Sequence, residues 1–467
     1  MLRTKIKFSS FSRMQPRRFG GASSERHHYS RLISTSTMSP YNWIDGVEPL
    51  EMYEPGGYHP VMINDVLHKR YRIIDKLGYG GYSTIWLALD DQLKRYVAIK
   101  VNIANSSLPS PQREARILRA LSTQNSRGAV GGRDAIPKIM DEFSIEGPNG
   151  THACYTVAPA QGNLQEASFS RLFPIHVARA LAARLVLAVS YVHSQGFVHG
   201  DIRLRNVLTR LPSTFDEFSI KQFKEKFGEP ETIPICRIDG KPLPPNVPAE
   251  AVVPLYLGKK AQEFTLADAD GLTLGDFGEA FTPTTEQRLG RDCHTPISKR
   301  APEALFQPEL PLSYPSDIWS LGAAIWDITG MKPLFSDSET QDEIVAEQID
   351  VFGFQNFPSA WREQWERKSK EEVDIDQPLP RRPAVGREVW LPLEDIFEEF
   401  VQKYRKKQEK VGIFDESETW AFLDLMRGMF KFQPEEPLTI DEVLQSEWMN
   451  KWALPHVNPP STGSFTS

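Results

Sequence analysis

Only three cysteines, Cys154, Cys236 and Cys293, are scattered over 467 residues. So sparse and odd a number excludes a disulfide framework and a thiolate zinc site, and it fits a reducing compartment. Long apolar runs are missing as well. None approaches the roughly 18 residues that a membrane helix needs. The longest candidate, residues 178–192, is interrupted by Arg179 and Arg184 and predicts a buried amphipathic helix. Acid is nearly absent before Met38, where Arg3, Lys5, Lys7, Arg13, Arg17, Arg18, Arg26 and Arg31 face Glu25 alone. Taking these from the chain's 54 Lys/Arg and 61 Asp/Glu leaves 46 against 60, a body near −14. An acidic body argues against nucleic acid as a partner and suits a basic protein substrate.

The Arg- and Ser-rich leader has the composition of a mitochondrial transit peptide. A disordered basic tail, or an extension upstream of a start at Met38, fits the same residues. Cytoplasmic and nuclear residence is therefore expected, with a mitochondrial location if the leader is a transit signal.

With 40% hydrophobic and 25% charged residues, the rest reads as an ordinary globular chain. "YRIIDKLGYGGYSTIWLALDDQLKRYVAIKVN" alternates apolar and polar residues around turns and predicts three antiparallel strands. "SPQREARILRAL" has helical spacing, and "PKIMDEFSIEGPNGTHACYTVAPA" predicts two strands about a Gly-Pro-Asn-Gly turn. From Phe173 helices take over: Val177, Leu181, Leu185, Val189 and Val192 repeat at three to four residues, and Gly196 follows as a stop. Residues 207–275 break the pattern, and "GKPLPPNVPAE" is too proline-rich for a packed element, so a partly disordered spacer is expected there. "YPSDIWSLGAAIWDITG" predicts a helix capped by Ser316 and stopped by Gly330; Thr439 and Glu442 predict a capping box.

Chemistry is carried by several short motifs, each weak alone. "GYGGYS" (Gly78, Tyr79, Gly80, Gly81, Tyr82, Ser83) is a turn whose glycines would let backbone amides approach phosphate oxygens. A strand rather than a helix follows it, which disfavours a dinucleotide-binding turn. "VAIK" puts Lys100 on the next strand, and Glu114 on the following helix can pair with it and aim the ammonium at phosphates. In "HGDIRLRN", Asp201 is the candidate proton acceptor and Asn206 a metal contact; Asp276 of "DFG" is the second metal contact. "APE" (residues 301–303) and "SDIWSLG" complete the order. That order identifies a eukaryotic-type protein kinase fold: α+β, two-lobed, a small β-rich N-lobe with one key helix and a larger α-helical C-lobe.

The finer resemblance is to the serine/arginine-rich (SR) protein kinases, their fungal branch in particular. It is carried by "YEPGGYHPVMINDVLHKRYRIIDKLGYGGYSTIWLA", by "GPNGTH" and by the long spacer before "LGDFGEAF", and spans residues 53–448. It implies ATP-dependent phosphorylation of serine (or threonine) in arginine-rich segments, with ATP and Mg2+ as cofactors and a monomeric enzyme that binds no membrane. It also implies that Ile85, Ala98, Val157 and Ala160 line the nucleotide beside the glycine loop and Lys100. The implied division is a tail at 1–42, an N-lobe at 43–160, a C-lobe at 161–453 and a C-terminal tail at 454–467. Insertions are expected at about 209–268 and 336–412.

Three departures matter. Gly200 stands where most such kinases have an arginine that binds a phosphorylated activation segment, so activity should not require that phosphorylation. Arg203 replaces the usual lysine and can still neutralise the γ-phosphate, with a fork in place of a point charge. Pro437 occupies the place of the arginine that usually pairs with Glu303. The alternative to an active enzyme is a pseudokinase scaffold, disfavoured because the Lys, Asp and DFG groups are all present. Finally, "DSETQDEIVAEQID", if helical, would put Glu339, Glu343, Glu347 and Asp350 on one face, a candidate dock for arginine-rich substrate beside the plainer reading of a solvated surface.

Overall fold

The fold is seen in a computed structural model that describes residues 39–457, apart from 105–109, 124–131, 170–171, 367–378 and 384–385. The basic leader, and most of the expected C-terminal tail, lie outside the described residues.

The N-lobe is a six-stranded antiparallel sheet. Its strands are β1 (Val66–Leu67), β2 (Tyr71–Gly80), β3 (Ser83–Asp90), β4 (Arg95–Asn102), β5 (Asp141–Gly147) and β6 (Gly150–Val157). The spatial order is β1-β2-β3-β4-β6-β5, so β4 sits centrally, between β3 and β6. Helix α1 (Ser110–Thr123) follows β4. Ile73, Trp86, Ala88, Val97, Ile99 and Val101 are buried together on one face of the sheet, as the period of two requires.

Helix α2 (Ile175–Ser194) is the axis of the C-lobe. Its twenty residues and mean hydropathy of 1.5 would suffice to cross a membrane, yet Val177, Leu181, Leu185, Val189 and Val192 are each fully buried in the protein core. Gly196 takes φ +83 directly after it, the left-handed stop that a β-carbon would strain. Between the lobes lies a three-stranded sheet, β11-β8-β7, of β7 (Ala160–Asn163), β8 (Val207–Arg210) and β11 (Leu272–Leu274). It sets the hinge, the catalytic loop and the DFG segment side by side.

Two expectations change. The second long C-lobe helix, α4 (Tyr314–Thr329), begins after Ser313, not at Ser316. Pro315, which lacks an N–H, fits the first turn, so the helix starts three residues earlier and Ser316 is buried inside it. Gly330 does end the helix, and Thr439 and Glu442 do form the capping box.

The spacer differs more. It is built, and it packs on the N-lobe. Ser219 and Gln222 box the start of α3 (Ile220–Phe227), and Phe215 and Phe223 bury against Ile74, Leu87 and Tyr96 of the sheet. A hairpin of β9 (Thr232–Pro234) and β10 (Glu250–Val252) carries Ile235, Val247 and Ala251 into a cluster with Tyr53, Tyr58 and Ile103. The aromatics at 215, 218, 223 and 227 pack on one another and on the sheet, which anchors the segment despite its prolines.

Candidate active site

The glycine turn closes the β2–β3 hairpin, with Gly80 opposite Ser83. A β-carbon added at Gly78 or Gly80 would meet nothing within 4 Å. Protein packing therefore does not demand these glycines, and they leave the backbone open to a close approach from outside the chain. Behind them Ile85 lies opposite Lys100, and Ala98 lies opposite Val157, where the chain turns towards Ala160 at the start of β7.

Lys100 Nζ is 2.6 Å from Glu114 Oε2 and 3.7 Å from Asp276 Oδ1. Burial depresses this ammonium, but Glu114, Tyr155 and Asp276 overcome that and hold its pKa well above the ordinary value. Glu114 also accepts from the Phe277 N–H at 3.3 Å, and Phe277 is buried with its ring 4.7 Å from that of His199. One carboxylate on α1 thus fixes both the lysine and the DFG backbone. Asp276 sits in the left-handed region, φ 58, with half of its side chain exposed. Burial raises its pKa, and Lys100, with Arg203, more than reverses that, leaving the carboxyl below its usual range and ionised.

The catalytic loop hangs from Asp317, one turn into α4. Its carboxylate accepts from the N–H groups of His199 (2.7 Å) and Gly200 (2.9 Å) and lies 2.9 Å from His193 Nε2. His199 Nδ1 accepts from the Asp201 N–H at 3.2 Å and its Nε2 lies 3.1 Å from the Gly275 carbonyl, which assigns the neutral tautomer with the proton on Nε2. Asp201 Oδ2 accepts from Arg203 Nε (3.0 Å) and Asn206 Nδ2 (2.8 Å). Its Oδ1 is buried and has no hydrogen-bond partner among the described residues. Burial, only partly offset by Arg203, raises the Asp201 pKa. The candidate proton acceptor thus has one oxygen open to a donor.

Asn206 turns its amide nitrogen to the Asp201 carbonyl and carboxylate, both at 2.8 Å, which leaves its oxygen as the free end. An amide oxygen and an ionised, half-exposed carboxylate are hard donors, suited to a divalent cation that also takes phosphate oxygens. Among the described residues no three His, Cys, Asp or Glu cluster as a self-sufficient metal site. The residues fit a cation that arrives with phosphate.

Gly200 has a structural cause. It takes φ +78, and a β-carbon there would lie 2.9 Å from the Glu279 carbonyl. In place of an arginine at this position, Arg288 of the activation segment pairs with Glu279, which His294 approaches at 2.9 Å. Glu286 pairs with Arg113, the neighbour of Glu114 on α1. Thr295 is buried and donates to the Gly200 carbonyl at 2.8 Å, whereas Thr284 and Thr285 are exposed and Thr282 is half-buried. None of Asp317, Arg113, Glu279, Glu286, Arg288 and His294 was a sequence candidate. Only Asp317, inside "SDIWSLG", carried a local signal.

Glu303 is buried with no ion pair among the described residues, and burial pushes its carboxyl up to about 7. That is the consequence expected of proline at 437.

The acidic stretch does not form the expected face. Helix α5 runs from Gln341 to Phe352, so Glu339 precedes it. Glu343 bonds Thr340 in a capping box, Glu347 is buried and accepts from the Ser336 N–H and hydroxyl, and Asp350 takes Arg387 and the Trp390 N–H. Asp337 and Asp342 accept from Ser298 and the Arg381 N–H. Most of the charge is used inside the fold, and Asp337 and Glu339 remain exposed. The Thr-x-x-Glu spacing at 340–343 was the legible signal.

The protein kinase domain family matches residues 71–221 and 260–449, and the gap falls in the spacer. A serine/threonine protein kinase of Aspergillus fumigatus is 26% identical over 426 residues, covering 86% of this chain and 90% of that one. Protein kinase dsk1 of Schizosaccharomyces pombe is 36% identical over 167 residues, 34% of this chain and 30% of the relative. Human SRSF protein kinase 3 is 32% identical over 161 residues, 33% and 28% of the two chains. A crystal structure of a kinase domain superposes with TM-score 0.56 at 17% identity, covering 84% of this chain and 98% of the other, which speaks to fold alone.

Proposed function

The chain belongs to the protein kinase family, is a serine/threonine kinase with SR-protein kinases among its relatives, and on that premise we propose that its substrates are arginine/serine-rich proteins and its metal Mg2+. The observation that carries the catalytic reading is the unpartnered Oδ1 of Asp201, beside Lys100, Asn206 and Asp276 with all four groups in place.

The substrate hydroxyl gives its proton to Asp201 while its oxygen forms a bond to the γ-phosphorus. The bond from that phosphorus to the β,γ-bridging oxygen breaks, and ADP leaves. Lys100 holds the α- and β-phosphates. Arg203, whose Nε is spent on Asp201, has its terminal nitrogens for the γ-phosphate. Asn206 and Asp276 would hold Mg2+, which would supply charge neutralisation to the phosphates.

Activation needs no phosphate on the segment. Ion pairs of Glu279 with Arg288 and of Glu286 with Arg113 support this, since they tie the segment to itself and to α1 with carboxylates already in the chain. The enzyme acts as a monomer in cytoplasm and nucleus. The acidic net charge of the body favours a basic substrate through its general field.

An Arg-Ser repeat peptide and a matched Lys-Ser peptide, with Asp276→Ala as the blank, test the proposal. Transfer to the Arg-Ser peptide at a higher kcat/KM is expected. Equal use of both peptides would remove the arginine preference while leaving the kinase assignment standing.

A further inference from the structure

The glycine turn rests on a segment outside the kinase motifs. Tyr58, 1% exposed, donates its hydroxyl to the Gly80 carbonyl at 2.8 Å. The Tyr58 backbone is itself gripped: its carbonyl accepts from Asn149 Nδ2 at 2.7 Å, and Asn149 also donates to the Asn246 carbonyl of the insertion at 3.1 Å. Next to it, Gly57 accepts from the Ala104 N–H at 3.1 Å. The turn has a second tie, from the Ile103 N–H to the Tyr82 carbonyl at 3.0 Å.

Every peptide bond described is trans, so the carbonyl and N–H of one unit point opposite ways. With the Gly80 carbonyl held towards the segment that carries Tyr58, the N–H of Gly81 points away from it. Glycines lose the most backbone freedom when a turn closes on a ligand, and holding one peptide in advance removes part of that cost.

We propose that Tyr58 is a positioning residue for the nucleotide, fixing the Gly80–Gly81 peptide so that the Gly81 N–H is presented to phosphate, with the insertion and the 48–61 segment acting as its mount. The proposal rests on the kinase reading in taking ATP as the ligand.

Tyr58→Phe removes one hydroxyl and keeps the buried ring. Its KM for ATP should rise about three- to tenfold, the worth of one hydrogen bond. The Kd for ADP should rise alongside, while kcat stays within about twofold, because Asp201 and the metal contacts are untouched. The midpoint of thermal unfolding without nucleotide should stay near that of Tyr53→Phe, which removes a hydroxyl bond to Glu48 in the same segment and should leave KM unchanged. Unaltered KM and Kd in Tyr58→Phe would overturn the proposal. So would an equal rise in both variants, which would assign the effect to folding of the segment. Loss of turnover in the wild type would count against the kinase reading, and the ADP comparison would still decide the role of Tyr58.

Discussion

Carboxylates in the cleft and carboxylates along residues 337–350 are the same chemical group in opposite circumstances. In the cleft, Asp201 Oδ1 is buried without a donor and Asp276 is half exposed, its charge held by Lys100. Along the acidic stretch, Glu343, Glu347 and Asp350 each meet donors from Thr340, Ser336, Arg387 or Trp390. A run of charge in a sequence therefore says little until its partners are known. What distinguishes the cleft is an acceptor left open beside Lys100, Asn206 and Asp276, at a desolvation cost of about 1–3 kcal/mol.

The largest break in this comparison should come from the cleft. Lys100→Ala and Asp276→Ala should each lower kcat/KM for a serine peptide by about a thousandfold or more, since positioning and charge neutralisation supply most of the catalysis in this reaction. Rates within tenfold of wild type, in variants of unchanged fold, would mean that these open groups are not the machinery.

Next in size is Glu303, an open carboxylate with no phosphate or metal to answer it. Its folded pKa of about 7 lies above the ordinary 4.5, so its stabilising contribution is full below pH 4.5 and is lost as pH rises through 7. The loss amounts to at most ~3 kcal/mol. Glu303→Gln should flatten the fall in stability between pH 5 and pH 7.5, read by denaturant unfolding at both. An unchanged slope would show that the carboxyl is solvated.

A smaller effect is expected from the activation segment. Phosphatase treatment should leave activity within about twofold, and Glu286→Gln should lower it about two- to fivefold, as loss of one half-buried ion pair allows. Large loss on dephosphorylation would restore the regulation that Gly200 argues against.

The smallest effect belongs to the acidic stretch. Glu343→Gln with Glu347→Gln should leave the affinity for an arginine-rich peptide unchanged at two salt concentrations, since neither carboxylate is free to meet a guanidinium. A salt-dependent loss would reinstate the docking face.

The candidate catalytic groups, which the structure brings together, could be picked out in the sequence because phosphoryl transfer requires fixed residue types in a fixed chain order, from Gly78 to Glu303. Sheet and core helix were legible from period: Trp86 and Ala88, and Val97, Ile99 and Val101, at two, and Val177 to Val192 at three to four. The supports were not. Arg113 and Glu286 are 173 residues apart, and nothing local marks either as a partner. The insertion was misread because prolines at 242–248 drew notice from the rings at 215–227, whose burial is decided by the sheet they cover. Gly200 read as a missing arginine, and its reason, a left-handed residue under the Glu279 carbonyl, exists only in three dimensions.

The central claim is that Asp201 Oδ1 is the proton acceptor. Asp201→Asn keeps the bonds from Arg203 and Asn206 within reach and removes the basicity. Single-turnover transfer from saturating ATP to a serine peptide should slow by about a thousandfold with the Kd for ATP unchanged. A single-turnover rate within tenfold of wild type would contradict the account.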